Sequence, residues 1–127
     1  MNILILRHGE ALDDIENRYG GWADHELTDK GKSQIIDRLS EIKKQEIEFK
    51  KIFSSNLKRA IGIANILSNE LRIPIEELEY AKEYNGYGVL SGMRKEDALS
   101  KYPDQVKKLG NKEEIDGMES LESFNRR

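Results

Sequence analysis

The sequence contains no cysteine, only two histidines, His8 and His25, and a single tryptophan. Without cysteine there are no disulfides and no thiolate metal sites, and two histidines cannot build a histidine-rich metal cluster. Charge of one sign is also lacking: 21 basic residues face 24 acidic ones, for a net charge of −3. With no basic stripe or basic amphipathic segment, neither nucleic acid nor a membrane surface is an expected partner. The apolar opening is far too short to span a bilayer and lacks the basic lead-in and cleavage site of a signal peptide. No internal repeat and no low-complexity linker interrupts the chain. What is left is one domain over residues 1–127, large enough to bury a core and expected in the cytoplasm.

The organising stretch is the opening itself. Ile3-Leu4-Ile5-Leu6 reads as a short strand buried on both faces, as in a parallel sheet. Arg7, His8 and Gly9 follow at once, which places polar side chains at the C-terminal edge of a strand, where open α/β sheets bind ligands. Gly9 permits a sharp turn and close approach of a ligand to the backbone. The polar stretch from Glu10 to Glu26 has no clear period. Its acids Asp13, Asp14 and Glu16 could suggest a divalent-metal site, but a solvated loop is the favoured reading, and His25 is expected at the surface. Gly20-Gly21 can offer backbone N–H groups to a ligand, and Trp22 is expected to anchor that loop.

Thr28 is a good N-cap for a helix carrying Ile35, Ile36, Leu39 and Ile42 at helical spacing and closing near residue 46. Residues 49–54 predict a second strand. Ser55 or Asn56 should cap a second helix with the stripe Leu57, Ile61, Ala64, Leu67 and Leu71, after which Pro74 ends the connection. Strand, helix, strand, helix is the pattern of a parallel sheet with right-handed crossovers. Arg59 then sits above the same sheet edge as Arg7 and His8, beside a helix N-terminus, and the group makes an anion site suited to phosphate. A third strand is expected to begin near Leu78 and run into a glycine- and tyrosine-rich loop up to Leu90. A short helix over 95–102 should stop before Pro103, and Ser120 should cap a segment bearing Leu121 and Phe124. The chain is expected to break off within its fold.

These residues, in this order, resemble the histidine phosphatase superfamily in its phosphoglycerate-mutase-like branch. Leu6-Arg7-His8-Gly9-Glu10 matches the opening motif; Arg18, Gly21-Trp22-Ala23-Asp24, Leu27-Thr28 and Gly31 follow at the family's spacing. Ser54-Ser55-Asn56-Leu57-Lys58-Arg59-Ala60 matches the second motif. Glu83, the glycines up to Gly92, Tyr102-Pro103 and Gly117-Met118-Glu119-Ser120 match later landmarks. The resemblance implies an α/β three-layer sandwich with a mostly parallel sheet, cut short before the strand that bears the family's second catalytic histidine. It implies a phosphomonoester phosphatase working through phosphohistidine on His8, with Arg7 and Arg59 neutralising the phosphoryl oxygens and Glu83 as proton donor. Substrate contacts are expected from Gly9, Glu10, Asp14, Gly20 and Gly21. A small phosphorylated substrate is the expected partner, with no metal and no cofactor, and an exposed sheet edge offers a route to self-association.

Three departures from the family pattern stand out. Asp14 occupies a position where relatives carry a phosphate-binding asparagine, the Glu83 loop is one residue longer than usual, and no histidine follows His25. A phosphoglycerate-type phosphomutase is the alternative activity. Its relatives carry Glu-Arg-His-Tyr-Gly where this chain has Glu83-Tyr84-Asn85-Gly86-Tyr87-Gly88, and a basic pair for a second phosphate has no equivalent here. A non-catalytic phospho-ligand module, or an inactive fragment, is the third reading, motivated by Asp14 and the missing histidine.

Overall fold

The computed structural model describes residues 2–127; Met1, part of the expected domain, lies outside them. After a four-residue helix α1 (Leu12–Ile15), the first long element is α2 (Asp29–Lys43). It starts where the sequence places it, because Thr28 Oγ1 accepts the Gly31 amide at 3.0 Å and satisfies one orphan donor of the first turn. Ile35, Leu39 and Ile42 turn inward, whereas Ile36, expected in the same stripe, is 54% exposed. A residue one step along a helix is rotated by about 100°, so Ile35 and Ile36 cannot share one narrow face.

Strand β1 (Ile52–Ser54), helix α3 (Lys58–Leu71) and strand β2 (Ile75–Glu77) form one crossover unit, with Ile52 opposite Ile75 in a parallel pair. The expected third strand is displaced: pairing runs over 75–77 and stops where it was expected to start. Ile52 donates to Pro74 and Leu78 donates to Ser54, so the ladder is as long as β1 and ends with it. Beyond it the chain makes 3₁₀ turns at Glu79–Ala81 and Gly88–Leu90. The cap of α3 also differs from expectation. Leu57, not Ser55 or Asn56, is the N-cap residue, and the Lys58 amide is taken by Asp24 Oδ1 at 2.7 Å from a loop distant in sequence. At the other end Arg72 adopts the left-handed conformation (φ 55°) and returns its amide to Ser68, ahead of Pro74.

Helices α2 and α3 close over one apolar cluster of Leu27, Ile35, Leu39, Ile63 and Leu67. A second cluster, Leu90, Ala98 and Ile115, lies under α4 (Lys95–Lys101) and α5 (Pro103–Gly110). Pro103, expected as a stop, is instead the first residue of α5; a missing N–H costs nothing at a position that has no intrahelical partner. Ser120 caps α6 (Leu121–Arg126) as expected, accepting the Ser123 amide at 3.1 Å.

The opening segment is the main correction. Residues 2–9 carry no strand assignment, and Ile3 and Ile5 are 73% and 88% exposed; Leu6 alone packs against the α2–α3 cluster. A strand buried on both faces needs bonded neighbours and a layer above and below. Among the described residues the sheet has two three-residue strands, and neither pairs with this segment. The α/β class nevertheless holds: α3 packs on a short parallel sheet and α2 packs on α3. No helix among the described residues is long and apolar enough to cross a membrane.

Candidate active site

The opening segment, residues 48–55, Leu57 and the length of α3 line a largely apolar cleft of about 950 Å³, and Arg7, His8, Arg59 and Glu83 are among its lining residues. Its other walls include Ser55 and apolar residues such as Leu6 and Ile52. Arg7 is exposed and His8 half-buried, while Arg59 is only 2% exposed.

A buried guanidinium must be satisfied, and Arg59 meets this with backbone. Nη1 donates to the Ala23 carbonyl and Nη2 to that of Gly21, both at 2.7 Å. Among the described residues the carboxylate within ion-pair distance of Arg59 is that of Glu83, at 3.3 Å. Glu83 is itself half-exposed, and its carbonyl accepts the Trp22 indole N–H at 2.8 Å. Trp22 therefore anchors its loop, by tying it to the Glu83 segment. His8 Nδ1 lies 2.8 Å from the Gly9 carbonyl. A carbonyl only accepts, so Nδ1 carries a proton and Nε2 is the ring nitrogen left to face a ligand.

The glycines and acids around the cleft have structural partners. A Cβ on Gly9 would lie 2.4 Å from the Gly31 carbonyl, so this glycine lets the segment cross the first turn of α2. Glu10 accepts from Thr28 Oγ1 and pairs with Lys30 at 2.9 Å; the Lys30 contact chiefly, then Thr28, holds its carboxyl below the ordinary value. Asp14 turns its Oδ2 back onto the Ala11 amide at 2.9 Å. That contact explains how a carboxylate is tolerated where a phosphate-binding amide was expected. Gly20 packs on Asp13 Oδ2, and Gly21, with φ +65°, gives its carbonyl to Arg59. The cleft thus gathers Arg7, His8, Arg59 and Glu83, and its lining does not include Gly9, Glu10, Asp14, Gly20 or Gly21.

One expectation of surface exposure fails, that for Asp13, while His25 is half-exposed. Asp13 is buried with Oδ1 unpartnered, and His25 buries an unpartnered Nε2. Neither placement has a local sequence signal: Asp13 Oδ2 lies against Gly20 and His25 Nε2 lies near Gly92, contacts set by how the 16–25 loop folds. Sequence reasoning also missed Asp24 as the cap of α3, and missed Glu119 and Arg127, which brace the Glu83 loop.

Residues 3–127 match the family model described as histidine phosphatase superfamily (branch 1). The chain belongs to that superfamily. Among curated members, 2,3-bisphosphoglycerate-dependent phosphoglycerate mutase of Streptococcus thermophilus is 37% identical over 108 residues, covering 83% of this chain and 46% of the relative. The corresponding enzyme of Porphyromonas gingivalis is 35% identical over 107 residues, covering 81% and 42%. The chain therefore spans less than half the length of these curated relatives. Among solved structures, alpha-ribazole phosphatase from Shigella flexneri superposes with a TM-score of 0.79 at 20% identity, over 95% of this chain and 60% of the other. Mycobacterial glucosyl-3-phosphoglycerate phosphatase in complex with VO3 gives a TM-score of 0.64 at 24% identity, over 77% and 47%. At these identities the solved structures establish the fold alone.

Proposed function

We propose that this chain carries the phosphoryl-transfer corner of a phosphomonoester phosphatase acting through a phosphohistidine on His8. The observation that supports it is that Arg7, His8, Arg59 and Glu83 line one cleft, with Arg59 and Glu83 3.3 Å apart. The His8 Nε2 lone pair attacks phosphorus, forming an N–P bond as the ester P–O bond breaks. The leaving alkoxide takes its proton from the Glu83 carboxyl. Water then attacks the phosphohistidine, returns a proton to Glu83 and releases phosphate. Arg7 and Arg59 neutralise the equatorial oxygens, and burial of Arg59 makes its interaction stronger than it is in water. Small phosphorylated molecules in the cytoplasm are the substrates we assign.

Incubation with p-nitrophenyl phosphate should leave acid-labile, base-stable phosphate on His8. Undiminished turnover by His8→Ala would defeat the proposal. The mutase reading is favoured by one observation, the identity of 35–37% to phosphoglycerate mutases. Phosphate release measured against phosphate transfer on a phosphoglycerate separates the two, and release is expected to dominate.

A further inference from the structure

The loop that carries Glu83 has neither strand nor long helix to hold it, yet one side chain grips its backbone at several points. Arg127 Nη1 donates to the carbonyls of Tyr80 at 2.5 Å and Lys82 at 2.6 Å, and Nη2 donates to that of Glu83 at 3.0 Å. The same guanidinium forms a two-point pair with Glu119, Nε to Oε1 at 2.6 Å and Nη2 to Oε2 at 2.9 Å. It also packs on the rings of Trp22 and Phe124, 5.6 and 4.9 Å from their centroids. Glu119 holds the far end of the loop: Oε2 accepts the Asn85 amide at 3.1 Å, and the Glu119 amide donates to the Asn85 carbonyl at 3.0 Å.

An exposed ion pair would order little. This one is largely removed from water, with side chains 18% and 5% exposed, and its planar fork fixes direction as well as distance. Glu119 orients the fork, the fork gathers the carbonyls of residues 80, 82 and 83, and the Trp22 indole closes the set on the Glu83 carbonyl. The Glu83 carboxyl is thereby presented 3.3 Å from Arg59 at the cleft.

We infer that Arg127, oriented by Glu119, is a positioning residue for Glu83: by gathering the carbonyls of Tyr80, Lys82 and Glu83 it fixes where the Glu83 carboxyl stands relative to Arg59 and the bound phosphoryl group. The inference rests on the reading of Glu83 as proton donor given above. Its signature lies in the leaving group. An alkoxide must be protonated as it departs, whereas p-nitrophenolate departs with little help, so misplacing the acid harms alkyl esters selectively.

The test compares the full chain with Arg127→Ala, Arg127→Lys and Glu119→Gln, using amide exchange at Asn85, inorganic phosphate affinity, and turnover of p-nitrophenyl phosphate against an alkyl phosphate. Arg127→Ala is expected to speed Asn85 exchange about tenfold or more. It should slow the alkyl ester by about tenfold or more while p-nitrophenyl phosphate turnover and phosphate affinity stay within about threefold. Arg127→Lys is expected not to restore the alkyl rate, because one ammonium cannot span Glu119 and three carbonyls. If Arg127→Ala does not fold, Glu119→Gln keeps the bulk and loses the charge that orients the guanidinium; because Glu119 itself accepts the Asn85 amide, that variant is read by the alkyl against the p-nitrophenyl ester alone. Unchanged Asn85 exchange overturns the inference, and so does equal slowing of both esters. A parent chain that forms no phosphohistidine and binds no phosphate removes the proposed function and this inference with it, and that result is seen before any variant is made.

Discussion

Gly31→Ala sets two effects of opposite sign against each other. Gly31 lies in the first turn of α2, where alanine gains about 0.5–1 kcal/mol from intrinsic helix preference. A Cβ there, however, would stand 2.0 Å from the Glu10 carbonyl oxygen and 3.0 Å from the Glu10 amide nitrogen, and both are backbone atoms that no side-chain rotation can move. The two segments must separate by more than an ångström, which costs about 1–3 kcal/mol as overpacking. The Thr28 amide bond to the Glu10 carbonyl, at 3.0 Å, is lost as they part, for about 1 kcal/mol more. The clash wins, and the net expectation is a destabilisation of about 1–3 kcal/mol. Urea unfolding monitored through Trp22 should show a lower midpoint with an unchanged slope. Gly110→Ala is the control, since an added Cβ there meets nothing within 4 Å, and it should be neutral or slightly stabilising. Equal stability of the two variants would refute the close-approach reasoning. Because Gly9 crosses the same turn, Gly31→Ala should also lower the yield of phosphate on His8.

Arg59→Lys should cost about 2–4 kcal/mol in chemical denaturation despite keeping the charge, because a single ammonium cannot serve the Gly21 and Ala23 carbonyls in the same fork and one of them is left unpaired. Asp24→Ala should cost about 1 kcal/mol and raise exchange at the Lys58 amide, whereas Asn56→Ala should leave that amide unchanged. Acid unfolding should respond to Glu119. Its carboxyl is held below the ordinary 4.5, first by the hydrogen bond from Arg127 and then by the Asn85 amide. A depressed folded pKa contributes stability that is complete above the unfolded value and is lost as pH falls through the folded one. Glu119→Gln should therefore flatten the loss of stability below about pH 4.5, measured by denaturant midpoints across pH; an unaltered acid limb contradicts the pairing.

Local chemistry was legible where local chemistry decides. Thr28 and Ser120 cap the helices the sequence assigns to them, because a side-chain oxygen one to three residues from an orphan amide needs no help from the rest of the fold. Periodicity located α2 and α3 for the same reason. The failures are all of longer range. Ser55 and Asn56 have suitable oxygens, but Asp24, more than 30 residues away, reaches the Lys58 amide instead. Four apolar residues promise a buried strand only if neighbours cover them, and Ile3 and Ile5 remain exposed. Pro103 is compatible with both stopping one helix and starting another, and packing of Val106 and Leu109 against the second cluster decides for the start. Of the corner itself, Arg7, His8 and Arg59 were readable as a set. The brace on Glu83 was not, since nothing in a run of six residues around Glu119 reveals which carbonyls Arg127 will meet.

The two apolar clusters share no member. Arg59 belongs to the helix that closes the first, while Glu83 hangs from the 119–127 segment and the loops around the second. The pair at 3.3 Å thus runs from the helix that closes one cluster to a loop tied to the surroundings of the other. A change in the Glu83 loop would therefore be felt at Arg59 through a few polar contacts, with no need to repack either cluster.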